Sequence, residues 1–369
     1  MGQNASLRNR RVYRISPHAA PAENLRGQGV PKAGEWSPVT VSASWLWPLA
    51  TIGLIREPAA NLPCTPSAMP VNLQLHRLGS PQPGPHVLIT GGVHGDEWEP
   101  MAAIRRLVTR LDGRLQKGQV TLIPIVNEGA FARGARTAAD GLDLARTCPG
   151  REDGSLTEQT AHALSAQIAQ ANFYIDLHTG GTRLQVLPLA GYVLHPNARV
   201  LEQQRRMAQV FGLPLVWGTD WRLNGRSLSV ARDHHVPAIY CEYLGGGQLA
   251  PEGVDAYVRG CENILTDLGL LPGPAPQVPP GQRVVEDDRP SAGHMQINHP
   301  TPQGGFFEAA VKLGDRVATG ALLGTVYDPL GRTPVEIRAR YPGQIIVLHT
   351  YARIEPDTSV AVVLEEPAQ

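Results

Sequence analysis

Residues 86–104 read HVLITGGVHGDEWEPMAAI. The mostly apolar run over 86–90 is typical of a buried strand, and the glycine pair that follows it allows a tight turn. Beyond the turn, Met101, Ile104 and Leu107 recur at the spacing of one helix face, which predicts a helix over residues 99–111. The segment therefore predicts a strand, a turn and a helix in immediate succession.

The same alternation continues on both sides of this unit. The residue pattern predicts strands over 71–75, 120–126, 173–177 and 238–243, and a helix over 157–171. Strands that alternate with helices indicate an α/β sheet with helices on its faces. Ligands of such sheets bind at the carboxyl ends of the strands, so the residues that follow strands are the first candidates for a functional site.

Changes in composition divide the chain into four parts. Residues 1–68 are rich in Arg, Pro and Ala and have no sustained period, which predicts an irregular N-terminal extension. Residues 69–271 carry the alternating strands and helices. The Pro-rich stretch that follows predicts a stiff linker over 272–283, and short alternating runs after it predict a small all-β domain over 284–369.

The charge balance excludes two classes of partner. The 369-residue chain has 33 Lys and Arg residues and 33 Asp and Glu residues, so its formal net charge is zero. Nucleic acids and anionic membranes attract proteins through an excess of basic residues, so we expect neither as a partner. The four cysteines stand far apart without a CxxC pair, which is typical of reduced thiols and indicates a cytoplasmic protein. The sequence leaves open whether the protein forms a homo-oligomer.

Two segments at the ends of predicted strands carry potential metal ligands. His94 and Glu97 stand three residues apart in the turn, so an imidazole and a carboxylate can converge on one ion. With His178 they complete a His2Glu set, the ligand pattern of catalytic zinc. Asp176 can orient His178 as an outer carboxylate. The alternatives are a surface His and Glu without an ion, and a buried His178 that is hydrogen-bonded to a turn.

A further carboxylate and two guanidinium groups complete the candidates. Glu242 stands in the middle of the β-prone run over 238–243, where a buried carboxylate is costly unless it meets a charge or acts as a base. The alternative is a glutamate of an edge strand that faces solvent. Arg136 and Arg146 lie in a segment of small and polar residues, where they can stabilise an oxyanion and bind a carboxylate, or be solvated surface charges.

From about residue 70 to the end, several motifs in order resemble the succinylglutamate desuccinylase/aspartoacylase family, which shares the zinc carboxypeptidase fold. They are GGVHGDE at 91–97, NEGAF from Asn127, RTAADGLDLAR at 136–146, DLHTGG at 176–181 and the Glu242 segment. The resemblance implies an α/β fold with a carboxypeptidase-like mixed sheet flanked by helices and a small C-terminal all-β domain.

The resemblance also implies a function, that of a zinc-dependent amidohydrolase acting on linear amides. It would be a deacylase that cleaves the amide bond of a small N-acylated amino acid or amine. Carried over by position, Glu242 is the general base and then the general acid for a zinc-activated water, and Arg136 faces the scissile carbonyl oxygen. Arg146 and Asp143 are assigned to substrate binding. The residues assigned to the single Zn²⁺ ion are His94, Glu97 and His178.

One position departs from the family pattern. The family usually has Asn before the arginine, in DLNR, where this chain has Ala145, which cannot help to hold a substrate carboxylate by a hydrogen bond. The glycine pair after His178 resembles the branch of the family that acts on N-acetylated diamino acids. Two alternatives stay open for the function: a metallocarboxypeptidase, and a catalytically inactive binding protein on the same scaffold.

Overall fold

The structure, a computed structural model, describes residue 71 and residues 73–295 and 298–365, so the extension predicted over 1–68 lies outside the described residues. The strands are β1 His76–Gly79, β2 His86–Thr90, β3 Gln119–Ile123, β4 Phe173–His178, β5 Leu184–Val193, β6 Leu215–Thr219, β7 Ala238–Gly245, β8 Arg283–Glu286, β9 Gly305–Ala309, β10 Arg316–Val317, β11 Leu322–Tyr327, β12 Val335–Arg338, β13 Gly343–His349, β14 Arg353–Ile354 and β15 Ala361–Glu365. The helices are α1 Trp98–Arg110, α2 Glu128–Arg133, α3 Leu156–Ala169, α4 Ala198–Phe211, α5 Ser227–Asp233 and α6 Pro251–Asp267, with a 3-10 turn at Leu144–Arg146. None of the helices in this part of the chain is long and apolar enough to cross a bilayer.

The strand, turn and helix predicted from residues 86–104 are present as β2 and α1. The other predicted strands and the helix over 157–171 are confirmed within a few residues, with one exception. The strand predicted over 71–75 is wrong, because the described residues of this range lie outside any strand and the first strand of the described chain begins at His76, which pairs with Leu122 of β3. Pro124, which follows β3, lacks the N–H group that would be needed to extend the pairing of β1 with β3.

Eleven strands of the described chain form one mixed sheet. Four of them, β3, β2, β4 and β7, lie side by side and parallel, and β1 and β5 pair antiparallel with the outer two. A separate antiparallel sheet in the C-terminal region has the order β12-β11-β9-β14. The predicted fold class, a mixed sheet flanked by helices with an all-β part at the C-terminal end, is therefore confirmed.

The central strands are apolar because helices cover the sheet on both faces. Val87 and Ile89 of β2 point into a core that includes Ile104 of α1, while Leu88 points into the core on the other face with Leu164 of α3. All five side chains are fully buried. Each such side chain contributes roughly 1.5–3 kcal/mol by leaving water, which holds the strand ends in fixed positions.

The C-terminal region also extends the large sheet. Strand β13 pairs antiparallel with β5, so that Val347 lies opposite Val186, and β8 pairs parallel with β6. The sequence analysis predicts short strands in the C-terminal region but not β5 or β6, and it predicts neither of these pairings; Arg283, the first residue of β8, falls in the predicted linker. The domain boundaries placed at residues 271 and 284 stay predictions.

Candidate metal centre and active site

The turn after β2 presents two of the predicted ligands at the edge of the sheet. The backbone N–H of Asn127 donates a hydrogen bond to the carbonyl of Gly92 at 2.8 Å. Gly92 has a φ of +64°, in the left-handed region that favours glycine. A Cβ atom at Gly95 would overlap the backbone of Ala130. The glycines therefore allow the turn to pack directly on the neighbouring loop and helix.

His94, Glu97 and His178 lie together at this edge. Nδ1 of His94 is 2.6 Å from Oε1 of Glu97, and Nδ1 of His178 is 3.0 Å from Oε2 of the same carboxylate. All three residues are buried, and one ligand atom from each lies within 4.8 Å of the others. Imidazole nitrogens and a carboxylate oxygen are the donors of catalytic zinc sites, which keep one position for water or substrate. The three residues therefore fit a zinc ion.

The second ring nitrogen of each histidine faces another carboxylate. Nε2 of His94 lies 3.1 Å from Oδ1 of Asp143, and Nε2 of His178 lies 3.1 Å from Oδ2 of Asp176. Asp176 in turn accepts a hydrogen bond from Oγ1 of Thr90 at 2.8 Å. Carboxylates in this position fix the orientation of an imidazole ring and increase its basicity as a metal ligand. Asp176 thus lies where the sequence predicts an orienting carboxylate.

Opposite charges hold this buried cluster together. Burial alone would raise the pKa of Glu97, but His94 and His178 hold that pKa well below its usual range. Burial alone would lower the pKa of His178, but the charges of Asp176 and Glu97 raise it well above its ordinary value.

Glu242 lies beside His178, because the register of β4 and β7 places the two residues opposite each other. Strand β7 runs between β4 and β5, and Glu242 is 6% exposed, so the alternative of an edge-strand glutamate facing solvent is excluded. Its Oε2 atom has no hydrogen-bond partner among the described residues. Burial raises the pKa of Glu242 to about 7 against the opposing charge of His178. A carboxylate that titrates near neutrality is suited to proton transfer.

A cavity of about 130 Å³ lies next to these residues. Its lining includes the three potential ligands, Glu242, Arg136 and Arg146. Nη2 of Arg136 is 3.0 Å from Oδ2 of Asp143, which anchors the guanidinium group. Asp143 therefore contacts His94 and Arg136 and does not itself line the cavity. The roles predicted for Arg136, Arg146 and Asp143 in catalysis and substrate binding stay predictions.

Half of the chain matches a known catalytic domain. Residues 83–268 fit the family model described as the succinylglutamate desuccinylase/aspartoacylase catalytic domain. The chain belongs to the succinylglutamate desuccinylase/aspartoacylase family. The resemblance that the sequence motifs indicate is thereby confirmed. The family comprises N-acyl amino acid deacylases, among them a deacetylase and a desuccinylase.

Relatives in this family extend over most of the chain. The N-alpha-acetyl-L-2,4-diaminobutyric acid deacetylase of Halomonas elongata is 32% identical over 323 residues, which cover 85% of this chain and 91% of the relative. The product-bound structure of the ectoine utilization protein EutE (DoeB) from Ruegeria pomeroyi is 27% identical, with a TM-score of 0.69 over 78% of this chain and 87% of that one. A succinylglutamate desuccinylase from Silicibacter sp. is 26% identical, with a TM-score of 0.71 over 79% and 88% of the two chains.

Several lining residues of the cavity are not among the sequence-predicted site residues, and Arg226 and Tyr240 are the two that matter most for ligand binding. The guanidinium group of Arg226 makes no hydrogen bond or ion pair with any residue that the structure describes. Gly225 has a φ of +82°, and a Cβ atom there would lie 2.6 Å from the carbonyl oxygen of Arg146. Gly225 therefore allows the backbone before Arg226 to pack against Arg146. An arginine between glycine and serine gives no local signal that separates it from a surface arginine.

Proposed function

We propose that the protein is a zinc-dependent hydrolase that cleaves the amide bond of a small N-acylated amino acid or amine. His94, Glu97 and His178 would hold one Zn²⁺ ion, and Glu242 would transfer the protons. The observation that carries the proposal is the convergence, at one cavity, of a buried His2Glu set with a buried carboxylate whose Oε2 atom has no hydrogen-bond partner among the described residues.

Zinc and the residues of the chain would contribute different parts of the chemistry. When bound, Zn²⁺ supplies a Lewis acid that polarises a carbonyl oxygen and lowers the pKa of water. Glu242 accepts the proton of the attacking water at its Oε2 atom, which has no partner among the described groups. The same carboxyl group then donates this proton to the amine nitrogen as the C–N bond breaks. A pKa near 7 allows Glu242 both to accept and to donate a proton at neutral pH.

Arg136 would stabilise the charge that develops during the attack. As the water adds to the amide carbon, negative charge accumulates on the carbonyl oxygen, and a guanidinium N–H can donate a hydrogen bond to it. The ion pair with Asp143 keeps Arg136 at the cavity wall, so the guanidinium group needs to move little during the reaction. Asp143 acts on the reaction through Arg136 and His94, as a positioning residue.

Arg146 and Arg226 provide positive charge for a carboxylate of the substrate. Both line the cavity, and Gly225 brings their backbones together. Burial, followed by the charge of Arg226, lowers the pKa of Arg146 to about 10, as expected of a partly buried cation that lies near a second cation. Ala145 offers no hydrogen bond from its side chain, so Arg226 is the group that can assist Arg146.

Replacing Arg226 by glutamine is expected to weaken the binding of carboxylate-bearing substrates. Hydrogen bonds to charged groups contribute about 1.5–3 kcal/mol, so KM for an N-acetyl amino acid should rise about 10-fold to 100-fold, with kcat within about threefold. The matched control is Arg105→Gln, on the exposed side of α1. The corresponding N-acetyl amino acid amide, which lacks the carboxylate, should show no rise in KM. An unchanged KM for the acid would contradict this assignment.

The function itself is tested by an activity panel on the zinc-loaded protein. We expect hydrolysis of N-acetyl or N-succinyl amino acids, loss of turnover after the zinc is removed with dipicolinate, and recovery when zinc is added back. Hydrolysis of C-terminal residues from peptides instead would favour the metallocarboxypeptidase. Bound zinc without turnover on the whole panel would favour the inactive binding protein.

The cysteines support a cytoplasmic location for this activity. Cys148, Cys241 and Cys261 are free and buried, as is typical of proteins in a reducing compartment.

A further inference from the structure

Tyr240 lies on the same face of β7 as Glu242, two residues toward the amino end of the strand. At this spacing, Tyr240 lies about 7 Å further than Glu242 from the strand end at which the site is found. Its side chain lines the cavity, and its hydroxyl group makes no hydrogen bond with any described residue. A cavity-lining phenol of this kind can donate a hydrogen bond to a bound ligand.

Gly191 leaves the space that the ring of Tyr240 occupies. The antiparallel register of β5 and β7 places Gly191 directly opposite Tyr240. A Cβ atom built on Gly191 would overlap the phenol ring, including the atoms that carry the hydroxyl group. The ring can therefore lie across β5 only because residue 191 has no side chain, and any larger residue would displace the hydroxyl group.

Aliphatic side chains lie near this ring. Val193 of β5 and Leu228 of α5 line the same cavity as Tyr240 and belong to the apolar cluster against which Tyr240 packs. We call this part of the cavity, formed by Tyr240, Val193 and Leu228, the side-chain pocket. Its composition favours a group that is mostly apolar and has at most one polar atom at its tip.

Among the described lining residues, the cavity holds no spare carboxylate for a positively charged group of the substrate. Besides Glu242, the carboxylates of its described lining are Glu97, Asp176 and Asp220. Glu97 is engaged by the two histidines, Asp176 by Thr90 and Ser227, and Asp220 by the guanidinium of Arg222 at 2.6 Å and the backbone N–H of Ser291 at 2.8 Å.

A substrate ammonium group in this pocket would therefore be costly. It would be buried against aliphatic side chains near the positive charge of Arg226, and its one available partner would be the carboxylate proposed to transfer protons. An unpaired buried charge is strongly unfavourable.

We infer that the side-chain pocket receives the uncharged side chain of the N-acyl amino acid, and that the Tyr240 hydroxyl, aimed by Gly191, donates a hydrogen bond to its polar tip. This inference rests on the proposed deacylase function and specifies its substrate class. It distinguishes the chain from the Halomonas elongata relative, which is named for a diamino acid substrate.

The test compares kcat/KM for four substrates: N-acetylglycine, N-acetyl-L-glutamine, its hydrocarbon isostere N-acetyl-L-homoleucine, and N-alpha-acetyl-L-2,4-diaminobutyrate. In the wild-type protein we expect the glutamine derivative to exceed the diaminobutyrate derivative at least tenfold. Tyr240→Phe should lower the glutamine-to-homoleucine ratio about tenfold, since it removes only the hydroxyl group. Gly191→Ala should lower the homoleucine-to-glycine ratio, since N-acetylglycine has no side chain to place in the pocket.

Matched variants separate this effect from a general loss of structure. Tyr351→Phe changes a tyrosine that is 46% exposed, and Gly79→Ala adds a Cβ atom that meets no atom within 4 Å. Both ratios should keep their wild-type values in these two proteins. Wild-type turnover with both ratios unchanged in Tyr240→Phe and Gly191→Ala would overturn the inference, as would a preference for the diaminobutyrate derivative. Absence of wild-type turnover on every N-acyl amino acid would instead refute the proposed function.

Discussion

The Glu242→Gln protein is expected to retain its zinc while kcat falls by about 10²-fold to 10⁴-fold. Glutamine preserves the size and most of the packing of the buried side chain, but its amide cannot accept a proton from the attacking water. None of the three potential ligands is changed. The two measurements are the zinc content of the purified protein by atomic absorption and kcat on the best substrate of the panel.

A matched control distinguishes this effect from a simple change of charge. Glu128→Gln alters an exposed glutamate at the start of α2 and should leave both measurements at the wild-type values. Normal turnover in the Glu242→Gln protein would refute the proton-transfer role. Loss of zinc from that protein would mean that Glu242 belongs to the metal-binding set.

Zinc affinity is expected to collapse when His178 is replaced by alanine. The change removes one of three ligands, so the loss should exceed the roughly 10-fold to 100-fold that follows when a carboxylate orienting a ligand is replaced. Asp176→Asn tests that smaller effect directly, because it keeps His178 and weakens the contact at its Nε2 atom. Competition with a chelator of known affinity measures the zinc dissociation constant of the wild-type protein and of each variant. Circular dichroism reports whether each variant is folded.

His162→Ala, at an exposed position of α3, is the control for the loss of a histidine. Its zinc affinity should equal that of the wild-type protein. A folded His178→Ala protein with wild-type zinc affinity would remove His178 from the ligand set. Because His178 shares Glu97 with His94, its loss also leaves that carboxylate with one fewer cationic partner.

The sequence predicts β2, β3, β4, β7, α1 and α3 because each of these elements depends on a short-range pattern, whereas α4, β5, β6 and α6 are not predicted. The apolar runs of β2 and β4 and the helical spacing of α1 are readable within about a dozen residues. The two-faced burial of β2, with Leu88 on one side and Ile89 on the other, is the physical reason why its run is continuous rather than alternating. The long-range partners are not encoded in this way, and the pairing of β13 with β5 is found only in the folded chain.

The same distinction applies to the site. His94, Glu97, His178 and Glu242 stand at or near predicted strand ends, where the topology of a parallel sheet brings them together. Asp143 lies 49 residues from His94 in the chain, so its contact with the imidazole depends on how the intervening loop folds back.

The positions of Arg226 and Tyr240 at the cavity cannot be predicted from the sequence for the same reason. Arg226 reaches the cavity through the close packing of Gly225 on Arg146, and Tyr240 through the missing side chain of Gly191. Gly225 is the chain neighbour of Arg226 but packs on a distant residue, whereas Gly191 is itself distant from Tyr240 in the chain, so both positions depend on contacts that form only in the folded protein.

The C-terminal region contacts the cavity directly through Gly293 and Met295 and also through the pairing of β13 with β5. Val186 lines the cavity on β5, and its neighbour across the strand pair is Val347 of β13. Substitutions in the last part of the chain can therefore shift a wall of the cavity while the residues proposed for catalysis stay unchanged. The shape of the proposed substrate site thus depends on a region that holds none of the proposed zinc ligands or proton-transfer groups.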